Sequence, residues 1–483
     1  MLKTESVTVR EAGRVNEINK FIVKIDGLYN CALGQMVCFA DNTKGFVMGF
    51  DEKEALVLLL GRPRNIRVGD TVYSDSESFT VPVGNAFLGR IVSALCEPLD
   101  GKGRVGEDAF YDIFKNAPAV LDRVPIDGMF ATGIRIIDSC LPIGKGQREL
   151  IIGDRMTGKT AIAVDAIINQ KGKGIICIYC CIGRDFASFK KVISTLKETG
   201  SLDYTIAVGA VASSPIGELY LAPYTAAALG EYFMYSGRDV FVVFDDLTKH
   251  AWAYRELSLL LDRPPGREAY PGDIFYLHAQ LMERAGRLSP ENQGGSMTFF
   301  PIADTLQGDV AGFIPTNLIS MTDGQVYLNS AFFNEGFKPA VDLGISVSRI
   351  GTKVQANFLR ELTADIGLKY IQYRELLKST KLRTTLSEEM GKRLGHGERI
   401  ERIFIQEKGR PSPLAEQIML FFALKEGVLD ILPDDACENF KHNILAYAKE
   451  KAPDVVKKIE EDAELSLEDR RKLKACIAGF FKG

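Results

Sequence analysis

Histidine is scarce in this chain, and long apolar runs are missing from it. The four histidines are His250, His278, His396 and His442. None stands with a cysteine pair at zinc-site spacing, which argues against a Cys/His metal fold. No stretch approaches the ~20 apolar residues needed to span a bilayer. The opening Met1-Leu2-Lys3-Thr4-Glu5-Ser6 has no apolar core of a secretory signal. A basic excess is lacking too: the net charge of −4 gives no reason to expect nucleic acid as a partner. No internal repeat is present. The nine cysteines, an odd number without an export signal, read as reduced thiols. Cys177-Ile178-Tyr179-Cys180 matches C-x-x-C, but it lies in the apolar run Ile175–Ile182, where strand residues three apart face opposite ways. Buried free cysteines are the reading, and a cytoplasmic, water-soluble chain is the default.

What is present is an ordinary globular composition, 25% charged and 46% apolar over 483 residues. That length suits about three domains. Up to about residue 80, short β runs alternate with Gly, Asn and Asp, as in Phe21–Ile25, Gln35–Phe39, Gly45–Phe50 and Ala55–Leu60. Such spacing predicts a small barrel. From Val81 the runs Leu150–Ile152, Ile175–Ile182 and Val240–Phe244 have the character of central strands in a mostly parallel sheet. Beyond about Leu362 the spacing turns helical, over Leu362–Leu377, Ile400–Gln406, Leu414–Leu432 and Phe440–Lys449. The expected order is therefore a β-barrel over 1–80, an α/β core over 81–362 and an α-helical bundle over 363–483.

The densest chemical signal is Gly153-Asp154-Arg155-Met156-Thr157-Gly158-Lys159-Thr160. It is G-x-x-x-x-G-K-[ST], placed between the apolar run Leu150–Ile152 and the helix-prone Ala161–Gln170, the setting the phosphate loop requires. Glycines let successive N–H groups face a polyphosphate, and the helix N-terminus adds partial positive charge. Lys159 would reach the terminal phosphates and the Thr160 hydroxyl would sit on Mg²⁺. A P-loop NTPase core is thus expected, with ATP or ADP and Mg²⁺ as ligands. The metal also needs a carboxylate at the end of a neighbouring buried strand. Val240–Phe244 leads into Asp245-Asp246, and Asp245 is assigned to the metal; an Asp-Asp pair would equally serve to cap the helix over Leu247–Leu261.

Several further runs extend the pattern. They are Gly144-Lys145-Gly146-Gln147-Arg148-Glu149-Leu150, the uninterrupted Arg263-Pro264-Pro265-Gly266-Arg267-Glu268-Ala269-Tyr270-Pro271-Gly272-Asp273, Ile314-Pro315-Thr316-Asn317, Thr322-Asp323-Gly324-Gln325 and Ser346-Val347-Ser348-Arg349. Together with the phosphate loop and Asp245-Asp246-Leu247, they make the chain resemble the alpha subunits of F-type ATP synthases over about residues 13–483. The resemblance is dense in the middle and weaker in both flanks. It implies a RecA-like nucleotide-binding core and an alternating hexamer with a catalytic beta-type subunit. It also implies a central rotary shaft, a peripheral-stalk contact, ATP synthesis or hydrolysis coupled to proton or sodium transport, and membrane association only through the complex. Arg349 would act in trans as the arginine finger of a neighbouring catalytic site; without the resemblance, a structural pairing with Asp342 or Asp365 would be the better reading.

Departures from the family pattern sharpen the reading. In the catalytic beta subunits the strand after the phosphate-loop helix ends in Gly-Glu-Arg, and that Glu polarises water. Here it ends in Gly183-Arg184-Asp185. An arginine cannot accept a proton, and Asp185 is one step along, facing the other way. A site that holds nucleotide without rapid turnover is expected. Met156 and Arg184 both stand where alpha subunits carry Gln, and a cation at Arg184 would compete with Mg²⁺. Lys408 and Arg410 replace two glutamines near the adenine, and Lys338 replaces an Arg. Phe333 is a candidate for packing near the base, or an ordinary core aromatic. Alpha subunits begin with an amphipathic helix for the stalk, whereas Val7-Thr8-Val9 reads as strand, so that contact is altered or absent.

Three alternatives stay open. One is a homohexameric motor of the same superfamily, of export-apparatus or RNA-helicase type, which Arg184 and the acidic charge both oppose. Another is an alpha paralogue in a different rotary machine. The last is a structural subunit with a decayed site, opposed by the retained Lys159, Thr160 and Asp245.

Overall fold

The computed structural model describes residues 11–51, 53–61, 65–380, 388–461 and 465–481. The expected strand at Val7-Thr8-Val9 lies outside them. The chain forms two compact units, Met1–Val124 with Gly174–Ala303 and Ala311–Met321, and Pro125–Lys173 with Asp304–Val310 and Thr322–Gly483.

The first unit opens with a closed barrel whose strands run, in spatial order, Ala12–Asn19, Ile22–Asp26, Glu54–Leu60, Lys44–Asp51, Gln35–Phe39 and Thr71–Ser78. Closure leaves no exposed edge, and inward side chains such as Val23, Ile25, Val37, Val57 and Val72 fill the interior. The apolar runs seen in the sequence mark its strands because alternate residues must face this core. The same unit carries a parallel sheet in the order Ser296–Asp304, Asp239–Asp245, Ile176–Ile182, Thr205–Ala210 and Ile91–Val92. Every residue of Ile176–Ile182 is buried, including Cys177, Cys180 and Cys181, as a strand covered on both faces requires. All nine cysteines are free.

The second unit places Leu150–Gly153 parallel to Gly324–Leu328, which pairs antiparallel with the short edge strand Val347–Ser348. The helix Lys159–Ile168 follows the first of these. After Ala356 come seven described helices: Asn357–Thr363, Ile366–Thr380, Glu388–Phe404, Leu414–Lys425, Asp434–Lys451, Pro453–Glu461 and Leu467–Phe480. Tyr370, Phe404, Phe421 and Ile444 are in their buried core.

Helix boundaries differ from the spacing-based expectation. The run Ile400–Gln406 is helical only to Phe404, at the end of the longer helix Glu388–Phe404, whose first turns are mostly charged and carry little apolar period. Leu414–Leu432 stops at Lys425, where Gly427 takes a positive φ of 71° and turns the chain. The strand before Arg349 is short, Val347–Ser348, because Asp342 O accepts the N–H groups of Ile345 and Ser346 and makes a turn there.

Candidate functional site

The phosphate loop is built in the second unit from a buried strand and a helix N-terminus. Gly153 is required by close approach: a Cβ there would lie 2.5 Å from Leu328 O. Gly158, at φ 103°, occupies the left-handed region directly before the helix. Met156 also sits at positive φ, 66°, and is fully exposed at the tip of the loop. Thr157 Oγ1 donates to Asp154 O at 2.8 Å, bracing the turn from inside.

The Lys159 ammonium is buried. It donates to Gly153 O at 2.7 Å and to Asp154 O, and pairs with Asp304 Oδ1 at 3.0 Å. Arg155 Nε lies 3.4 Å from Asp304 Oδ2. Asp304 ends the strand Ser296–Asp304 and was not singled out in the sequence. Its signal was available, an apolar run ending in an acid, the same pattern that marks Asp245. Asp154 is also a structural carboxylate. Burial opposes its charge, but Thr305 Oγ1, Gly308 N–H and Ser330 Oγ all donate to it and hold its carboxyl below the ordinary value. Thr160 stands half-buried in the first turn of the helix.

Beside the loop is a cavity of about 480 Å³ lined by Thr157, Gly158, Asp165, Phe333, Lys338 and Lys408, among others. The Lys338 ammonium lies 4.5 Å from the Phe333 ring centroid, a cation–π contact. Asp165 accepts the Gly409 N–H at 2.9 Å, and burial pushes its carboxyl up to about 6 against the pull of Lys408. Arg410 does not line this cavity. Its Nη1 donates to His442 Nδ1 at 2.7 Å and its Nη2 to His442 O at 3.3 Å, so the guanidinium is held on the neighbouring helix. A larger cavity of about 760 Å³ among the C-terminal helices is lined by charges already paired, such as Arg393 with Glu389.

In the first unit, the two acids after Val240–Phe244 divide their tasks. Asp246 accepts the Lys249 N–H at 2.8 Å and caps the helix Leu247–Leu260. Asp245 points inward and is fully buried; Oδ2 accepts from Tyr179 Oη and Oδ1 from Arg184 Nη1, each at 2.9 Å. Its carboxylate is thus engaged on both oxygens, and the pair with Arg184 is an ion pair. A metal's water shell, the role expected of Asp245, would have to share this carboxylate with Arg184 and Tyr179. Asp185 is exposed and accepts from Ser188 N and Oγ at 2.8 and 2.7 Å, capping the helix Phe186–Glu198.

Arg349 follows the edge strand. Its N–H donates to Asp323 O at 2.8 Å, and its side chain is exposed, without a hydrogen-bonded or ion-pair partner among the described residues. Asp323 instead receives Arg148 in a bidentate pair at 3.0 and 2.7 Å.

A phosphate loop on a parallel strand, with a barrel before it and helices after it, defines a nucleotide-binding α/β protein of the P-loop class. Residues 8–74 match the ATP synthase alpha/beta family beta-barrel domain, residues 133–348 its nucleotide-binding domain and residues 355–480 its C-terminal domain. The chain belongs to the ATP synthase alpha/beta family. It is 44% identical over 480 residues to the ATP synthase subunit alpha of Petrotoga mobilis, covering 99% of this chain and 95% of that one. It is 45% identical over 474 residues to the ATP synthase subunit alpha of Desulforudis audaxviator, covering 98% and 94%. The barrel, nucleotide-binding domain and helical domain follow that family's order. No helix among the described residues is long and apolar enough to cross a membrane.

Proposed function

We propose that this chain is a nucleotide-binding, non-catalytic alpha-type subunit of a rotary ATP synthase or ATPase. It alternates in a hexamer with a catalytic beta-type subunit around a central shaft and associates with the membrane only through the complex. ATP synthesis or hydrolysis there is coupled to proton or sodium movement. The observation that carries the reading is the end of the strand Ile176–Ile182. Arg184 binds Asp245 and Asp185 caps a helix, so neither offers a carboxylate to polarise water. The cavity beside Lys159 suits ATP or ADP, with Phe333, Lys338 and Lys408 toward the base and the loop Gly153–Thr160 around the phosphates. Arg349 at a strand edge, exposed and without an ion-pair partner among the described residues, suits an arginine finger offered in trans to the neighbouring catalytic site.

Phosphate release by the purified chain alone tests this. Binding of ATP with negligible turnover is expected; turnover of about one per second or faster, abolished by Lys159→Ala, would establish a self-sufficient motor instead. Asp185→Asn is expected to leave any residual rate unchanged.

A further inference from the structure

Glu149 is a buried acid that takes no part in the phosphate site. It directly precedes the strand Leu150–Gly153 and is completely buried. Its Oε2 accepts Gln147 Nε2 at 2.8 Å, while Oε1 has no hydrogen-bond partner. The carboxyl lies against the backbone of Gly324: a Cβ built there would come 2.6 Å from Oε2 and 2.9 Å from Oε1. Only glycine leaves room for it. Gly324 pairs with Ser348, the residue before Arg349.

A connected set of contacts runs from that carboxyl to Ser348, the residue before Arg349. Gln147 Nε2 also reaches Ser348 Oγ at 3.4 Å, and that hydroxyl donates to Pro142 O at 2.9 Å and accepts the Gly351 N–H at 3.2 Å. Residues on both sides of Arg349 are therefore clamped, and its own N–H is tied to Asp323 O.

We infer that the Glu149 carboxyl, buried against Gly324 and linked through Gln147 to Ser348, is the positioning group for the Arg349 guanidinium. The inference rests on the reading of Arg349 as a finger. Its physical basis is the proton. A buried carboxylate with one oxygen unbonded is costly, so the group is held as the neutral acid. Burial pushes the Glu149 carboxyl well above the usual range; Gln147 opposes this, Asp323 adds to it, and Arg349 opposes it. Asp323 and Arg349 are the charged groups acting on it, and Arg148, on its own segment, is committed to Asp323. Neutral Glu149 leaves the guanidinium extended from the strand edge. Ionised, it would attract Arg349 back toward its own strand and withdraw it from the neighbouring site.

Two measurements test this, both on the full chain. Infrared difference spectra at neutral pH between wild type and Glu149→Gln are expected to show a protonated-carboxyl band that the substitution removes. If no such band is lost, the inference is wrong whatever Arg349 does. In a hexamer reconstituted with a catalytic beta-type subunit, wild-type turnover is expected to fall on the alkaline side by about tenfold per pH unit once Glu149 ionises. Glu149→Gln, which cannot ionise, is expected to lose that limb. Identical alkaline profiles, in a ring whose turnover Arg349→Ala does abolish, overturn the inference about Glu149 alone. A ring that Arg349→Ala leaves active overturns the finger reading, and the positioning role of Glu149 falls with it.

Discussion

The Arg184 guanidinium and the Asp245 carboxylate form an ion pair at 2.9 Å, with Asp245 fully buried and Tyr179 donating to its other oxygen. A metal expected at this carboxylate would compete with Arg184 for it. Arg184 is half-buried, so its charge is only partly screened. Burial opposes that charge, but Asp245 outweighs it and holds the guanidinium above its ordinary value.

Nucleotide affinity should therefore depend weakly on Mg²⁺. Titrating ATP into the chain with Mg²⁺ and with EDTA should give dissociation constants within a few-fold of each other. Arg184→Gln releases the Asp245 carboxylate and should restore a preference for Mg²⁺ of about tenfold or more. A large loss of affinity in EDTA for the native chain would refute the idea.

Arg349→Ala in a reconstituted ring should lower turnover by roughly 10³-fold or more. Assembly and this chain's own ATP binding should stay near native, since the side chain makes no hydrogen bond or ion pair among the described residues. Failure of the ring to assemble would assign Arg349 to structure.

Stability should hinge on a buried pair in the first unit. Arg284 Nε donates to Glu231 Oε1 at 2.7 Å and its Nη1 to Ile113 O at 2.9 Å, with both side chains essentially inaccessible. Removing one partner strands a charge in low dielectric, so Arg284→Met should cost about 3–5 kcal/mol. The double change with Glu231→Leu should recover most of it. Urea denaturation of the four proteins measures the coupling, and additive effects would show the pair to be uncoupled.

Acid should destabilise the first unit through two histidines. His250 Nδ1 and His278 Nε2 are 3.0 Å apart, and His250 Nε2 is 3.0 Å from Tyr220 O. Burial lowers His250 to about 4 and holds His278 well below its ordinary value, the latter also through His250. Both are neutral when folded. Their contribution is complete above the unfolded value of about 6.5. As pH falls below that, the unfolded chain takes up protons that the folded chain cannot, and stability declines until about pH 4, the folded value of His250. The urea midpoint should drop between pH 7 and pH 5, with a smaller drop in His278→Gln. A slope that this substitution leaves unchanged would assign the acid sensitivity to other groups.

Local order along the chain was enough to read much of this protein. Strand, loop and helix of the phosphate site are contiguous over Leu150–Ile168, so every element that cradles a phosphate is visible in one stretch. The barrel runs and the helical C-terminal spacing were legible for the same reason, since period and burial coincide within each element. Helix ends were not, because charged turns such as those after Glu388 carry no apolar period. Side-chain partnerships lay beyond sequence altogether. Asp304 reaches Lys159, Arg184 takes Asp245 and Arg410 turns to His442, each across a long stretch of chain. Residue types state what a group can bond. Packing decides which partner is within 3 Å when water is excluded, and that choice set the chemistry of Asp245 and of Glu149.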